Sequence, residues 1–109
     1  MNTTSSPLLH LIDDISINEG AIVSKTIHKD ENHNLTLFGF DKGQALSAHS
    51  SPMDAWVQIL SGEMEVSIGD KTHRLQANQL VRMPAGISHA LHANRPTRML
   101  LTMFKHINS

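Results

Sequence analysis

Cysteine is absent from the 109-residue chain, so no disulfide staple, thiolate metal site or thiol nucleophile can be built. That absence fits a reducing compartment. Aromatic residues are almost as scarce, with one tryptophan, three phenylalanines and no tyrosine. Hydrophobic residues as a whole make up 39% of the chain, a modest supply for a core. Chains of this kind gain stability by covering a strand face with a second copy, and a homodimer is the expectation.

Positive charge is not in excess either: nine Lys and Arg stand against ten Asp and Glu, a formal net charge of −1. Without a basic stripe to release counterions from a phosphate backbone, nucleic acid is not an expected partner. Nowhere do about 18 apolar residues run together, so no membrane-spanning helix is expected. The N-terminal MNTTSSPLLHLIDD lacks the basic start and long apolar stretch of a secretory leader. The expected location is therefore cytoplasmic. No serine sits in the glycine-flanked elbow of α/β hydrolases, and no helix-turn-helix is present to make the chain a self-contained DNA-binding sensor.

What the sequence does contain is strand after strand. Its length fits one domain that buries roughly two-thirds of its unfolded surface. Residues 1–6 are polar and end at Pro7, which reads as a mobile tail. LHLIDDI is the one candidate for a helical turn. Residues 1–20 are assigned to this tail and lead-in, and residues 21–106 to the folded domain. IVSKTIHKD, the turn residues ENHN, and LTLFGF read as a β-hairpin. QALSAHSSP is ended by Pro52, which cannot donate to a ladder, and Pro52, Met53 and Asp54 then read as a loop. AWVQIL is a short apolar strand, followed by a turn whose Gly62 tolerates positive φ. In EMEVSIGDK the alternation is clearest, with Met64, Val66 and Ile68 on one face and Glu63, Glu65 and Ser67 on the other. THRLQA, LVRMP, ISHALHA and RMLLTMFK continue the pattern. With no convincing 3.6-residue period, the chain is all-β, a single barrel or sandwich.

Two motifs now stand out. Gly43, five residues, His49 and then Gly62 form one frame, and Pro84, Gly86 and His89 within PAGISH form another. They resemble the two signatures of the cupin family, over about residues 35 to 104. HSSPMDA, LSGEMEV and MPAGISHALHA resemble, more narrowly, stand-alone bacterial small cupins. The resemblance implies a double-stranded β-helix, or jelly-roll, barrel. Asn78 stands where the second signature begins with glycine, and asparagine also adopts the left-handed conformation. The closing asparagine of that signature is displaced by one position, to Asn94.

In metal-dependent cupins, two histidines and a glutamate from the first signature converge with one histidine from the second. Carried over to this chain, only His49 and His89 remain as metal ligands, because Ser51 and Ala55 occupy the other two positions. A divalent Fe, Mn, Ni or Zn ion held by this pair is one reading; two neutral, hydrogen-bonded pocket histidines is the other. Ser51 shares an inward face with His49 by the two-residue repeat. Asp54 either swings into the cavity or caps the loop after Pro52, and Trp56 and Met53 pack beside the cavity strand. Gln58 and His92 have the wrong parity to point inward, and the histidines at positions 10, 28, 33, 73 and 106 read as surface or strand-end residues. The expected function is binding of a small polar molecule in a cavity lined by His49, Ser51, Asp54, Trp56 and His89. The alternative is a metal-dependent oxygenase or isomerase with a depleted two-histidine site.

Overall fold

The computed structural model describes residues 8–105; the polar start of the chain, Pro7 and His106 lie outside them. Among the described residues there are nine strands and no helix: β1 Ile22–Lys29, β2 His33–Phe40, β3 Ala45–His49, β4 Met53–Ser61, β5 Glu63–Ile68, β6 Lys71–Gln76, β7 Leu80–Met83, β8 His89–Ala93 and β9 Thr97–Lys105. They form two antiparallel sheets, one in the order β1-β2-β9-β4-β7 and the other β3-β8-β5-β6. Only the β1–β2 and β5–β6 hairpins stay within a sheet, and every other connection crosses to the opposite one. That alternation is what winds the chain into a jelly roll.

Side-chain parity decides what lies between the sheets. Ladder pairs Ala55↔Met103, Val57↔Leu101 and Ile59↔Met99 put the odd-numbered residues of β4 and β9 on one face. Opposite them, Met64↔Ala93 and Val66↔Leu91 supply the facing wall. Phe40, Val57, Ile59, Met64, Val66 and Met99 are fully buried there, each contributing about 1.5–3 kcal/mol of hydrophobic stabilisation before entropy is counted. With few aromatics available, aliphatic and thioether side chains fill the core.

The lead-in segment is not a helix. Asp14 N donates to His10 O at 2.8 Å, but this single turn is not continued. Instead the chain crosses the outer face of the five-stranded sheet, where Arg98 Nε donates to Ile15 O at 2.9 Å. Gly39 makes the crossing possible, since a Cβ there would collide with the Ser16 carbonyl oxygen. Ile15 is buried as a result.

Two local expectations are corrected. The hairpin turn occupies residues 30–32, with His33 and Asn34 already in β2, because Asp30 Oδ1 accepts from the backbone N of Asn32 and of His33, both at 2.8 Å. Likewise Met53 and Asp54 are strand, not loop, paired with Lys105 and Phe104 of β9. Pro52 terminates the strand before it and leaves the next one free to start at once.

Candidate functional site

At one end of the barrel the two sheets part around a cavity of about 280 Å³. Its wall from the five-stranded sheet is Phe38, Ala55, Met83, Met99, Leu101 and Met103; from the other sheet come Leu46, His49, His89 and Leu91, with Ser51 at the rim. A register shift in β3 lies between the pairs Leu46↔Leu91 and His49↔His89. It turns both Leu46 and His49 inward although they are three residues apart, which a regular strand would not allow. His89 and Leu91 face inward from β8, while His92 points to solvent, as its parity requires. Gly86 N donates to Ser51 O at 2.8 Å, and Gly69 N donates to Ser88 O at 2.8 Å. These two bonds hold the loops that frame the mouth.

The two histidines meet. His49 is exposed at the mouth and His89 is buried beneath it. Their rings stand edge to face with centroids 4.4 Å apart, and their Nε2 atoms are 3.2 Å apart. His49 Nδ1 lies 2.8 Å from the Ser47 carbonyl oxygen and His89 Nδ1 lies 3.3 Å from that of Ile87. Burial pushes the His89 imidazole below its usual pKa, repulsion from a charged His49 adds to this, and the Ile87 carbonyl opposes it. The neutral ring is therefore favoured.

Ser51 lines the rim as its parity predicts, and its Oγ accepts from Met53 N at 3.1 Å. Asp54 and Trp56 do not line the cavity, and both expectations are corrected. Asp54 is buried on the other side of β4, where Oδ1 accepts from Ala85 N at 2.9 Å and pairs with Arg82 Nη2 at 3.3 Å. It fixes the turn at residues 84–86 that leads into His89, rather than capping the loop after Pro52. Trp56 lies opposite Arg82 and Thr102 on the outer face of its sheet. Once β4 is one continuous strand, neighbours of the inward Ala55 must point outward. The thioether wall was not identified from sequence, although Met99, Leu101 and Met103 carry its signal in their spacing of two.

The cavity offers a metal ion no carboxylate. Ala55, at the glutamate position, faces the cavity with a methyl group. Among the described residues no three His, Asp or Glu side chains gather to hold a metal ion. Two neutral imidazoles and a hydroxyl leave a divalent charge uncompensated, so the donor set does not fit a metal held by the protein alone.

A larger hollow of about 490 Å³ lies on the outer face beside the β1–β2 turn, where His28, His33, Leu35, Thr102 and Phe104 contribute. Its imidazoles are already engaged, His28 Nε2 at 2.7 Å and His33 Nδ1 at 3.1 Å from the Asp30 carboxylate. In the smaller cavity two imidazole Nε2 atoms converge at an otherwise apolar wall.

The sequence profile described as the cupin domain matches residues 36–104. A conserved protein of unknown function from Streptococcus pyogenes is 38% identical, with a TM-score of 0.89 over 99% of this chain and 95% of that one. A cupin superfamily protein from Desulfitobacterium hafniense superposes with a TM-score of 0.88 at 23% identity, covering 97% of each chain. A cupin 2 conserved barrel domain protein from Leptotrichia buccalis is 32% identical with a TM-score of 0.86, over 89% of this chain and 47% of that one. No curated protein gives a significant match.

Proposed function

On the premise that this chain belongs to the cupin domain family, we propose that it binds a small molecule in the barrel cavity, oriented by His49 and His89. One observation carries this reading: the Nε2 atoms of the two histidines converge, 3.2 Å apart, at an otherwise apolar cavity of about 280 Å³. A few convergent polar groups on an apolar wall fix a ligand's orientation while the wall supplies the affinity. The second reading is a metal-dependent oxygenase or isomerase. The proximity of the two Nε2 atoms favours it, and the missing carboxylate counts against it.

Elemental analysis of untagged protein tests the second reading. Near-stoichiometric metal, lost in both His49→Ala and His89→Ala, would establish it. Ligand-observed NMR against a fragment mixture in chelator tests the first, with Ala55→Leu as the control that fills the cavity. We expect fragments that bind the native protein and are displaced by Ala55→Leu; no binding at millimolar concentration would overturn the reading.

Pairing of two copies belongs to the same proposal. Val23, Leu35, Leu100 and Trp56 leave partly exposed apolar surface on the outer face of the five-stranded sheet, a surface that a second copy would cover. Light scattering at micromolar concentration should give twice the 12.1 kDa chain mass, and a monomeric mass would exclude the pair.

A further inference from the structure

We propose that Asp54, which lies outside the cavity, is the positioning residue of its mouth: by holding the turn at residues 84–86 it keeps the rim groups of His49, Ser51 and His89 aligned for the polar end of a ligand. The proposal rests on the cavity-binding reading above and adds to it a residue that touches no ligand.

Two chain connections pass between the sheets at this end of the barrel. Residues 50–52 join β3 to β4, and residues 84–88 join β7 to β8. The first carries Ser51 and follows directly on His49, and the second ends at His89, so the polar rim of the cavity hangs on these two segments. Neither belongs to a ladder. Their alignment therefore depends on the individual bonds they make to neighbouring chain. Gly86 N donates to Ser51 O at 2.8 Å, Gly69 N donates to Ser88 O at 2.8 Å, and Ala85 N donates to Asp54 Oδ1 at 2.9 Å. Of these three bonds only the last uses a side chain.

Asp54 is 4% exposed, on the side of β4 away from the cavity, while its neighbour Ala55 lines the cavity wall. Burying a carboxylate is costly unless its oxygens are bonded, and here Oδ1 accepts from Arg82 Nη2 at 3.3 Å as well as from Ala85 N. A charged acceptor holds a backbone N–H more strongly than a neutral carbonyl does. Within the turn, Pro84 restricts φ and Gly86 takes a φ of 79°, so the segment has little freedom of its own and shifts as a unit. It runs on to the Ile87 carbonyl, against which His89 Nδ1 rests at 3.3 Å. A displacement at Ala85 is thus passed along the chain to the His89 ring, and through Gly86 to Ser51. Binding groups work only when the residues behind them hold their positions to about 0.5 Å. Asp54 is such a residue.

Benzyl alcohol and toluene report on the rim, because they share a ring for the apolar wall and differ in the hydroxyl that would reach the mouth. A hydroxyl both donates and accepts, so it pairs with an imidazole whichever ring nitrogen carries the proton. Each is titrated into the full chain in the presence of a chelator and followed through the ¹³C methyl shifts of Met83, Met99 and Met103, which line the cavity. Hydrogen exchange of the Gly86 and Glu63 amides is measured alongside. We expect Asp54→Ala to lower the affinity for benzyl alcohol about tenfold, to change that for toluene less than about threefold, and to speed Gly86 exchange about tenfold or more. Glu63 N–H, bonded to Thr97 Oγ1 at the closed end, should exchange at the native rate. Asp54→Ser, whose hydroxyl is one bond too short to meet Ala85 N, is a second variant with the same expectation. Asp54→Asn keeps an oxygen for Ala85 N and should restore both readouts. An unchanged ratio of benzyl alcohol to toluene affinity, exchange that quickens equally at Gly86 and Glu63, or no rescue by Asp54→Asn would overturn the proposal and leave the cavity-binding reading standing. Failure of both probes to bind the native protein at about 5 mM would overturn the cavity-binding reading and the proposal with it.

Discussion

The two ends of the barrel are built from the same kinds of residues and treat their polar groups in opposite ways. At the end away from the histidines, Thr97 is fully buried; its Oγ1 accepts from Glu63 N at 3.1 Å and donates toward Arg95 O at 2.7 Å or Glu63 O at 3.0 Å. The Glu63 carboxylate accepts from Asn94 Nδ2 at 3.0 Å and Gln76 Nε2 at 3.3 Å. Each of these acceptors has a proton within reach, while the neighbouring Ser61 Oγ is buried without a hydrogen-bond partner. At the open end, His49 Nε2 and His89 Nε2 face each other at 3.2 Å beside an apolar wall. A satisfied buried network rigidifies a fold, whereas a partly satisfied one costs stability and is kept where binding uses it. The closed end holds a connected hydrogen-bond network, and the open end holds an apolar cavity with two imidazoles at its mouth.

The largest expected effect is at Gly62, whose φ of 96° places it where residues with a Cβ are strained. A Cβ would also meet the Pro96 carbonyl oxygen and approach Thr97 Oγ1 to 2.6 Å. Gly62→Ala should cost about 3 kcal/mol or more in urea unfolding; a cost below about 1 kcal/mol would contradict this account of the closed end. Thr97→Val keeps the shape and removes the hydroxyl, stranding the buried Glu63 N–H, for a loss of about 2 kcal/mol. If the variant were as stable as the native protein, the closed end would not be held by its hydrogen bonds.

Glu63 sharpens the contrast through pH. The Asn94 and Gln76 amides hold its carboxyl below the usual range, with Arg74 and Arg95 adding to the effect and slight burial opposing it. Its folded pKa is depressed, so its contribution is present above the ordinary carboxylate pKa and is lost as pH falls through the folded value. Melting temperature followed from pH 7 downward should therefore fall less steeply in Glu63→Gln than in the native protein. The smallest effect belongs to the open end: His49→Ala should shift stability by no more than about 0.5 kcal/mol, since it removes an exposed ring. A loss of about 2 kcal/mol would show that the pair is structural and would erase the difference between the two ends.

Much of this was legible in the chain itself. Alternation in EMEVSI placed Met64 and Val66 in the core, where both are fully buried. Asn78 takes the left-handed conformation, with φ of 71°, at the position where the cupin signature has glycine. His49 and Ser51 both line the cavity, Ser51 from the segment beyond the end of β3 rather than from a strand face. Asp54 and Trp56 point outward because β4 runs unbroken from Met53 with Ala55 facing in. Pairing with β9 restarts the ladder at Met53, opposite Lys105, and no local signal reveals a partner so distant in the chain.

Residue order alone carries the all-β class, the position of most strands, the family frame around Gly43, His49, Gly62, Pro84, Gly86 and His89, and the absence of a carboxylate at Ala55. These are properties of residue type and spacing, which fix periodicity and donor chemistry before any contact forms. The packed sheets add that His49 and His89 touch, that their Nδ1 atoms lie against the carbonyls of Ser47 and Ile87, and that Asp54 holds the turn at residues 84–86. Those facts depend on a register shift in β3 and on pairing between distant strands, and hydrogen-bond geometry of that kind exists only once the sheets have closed on each other.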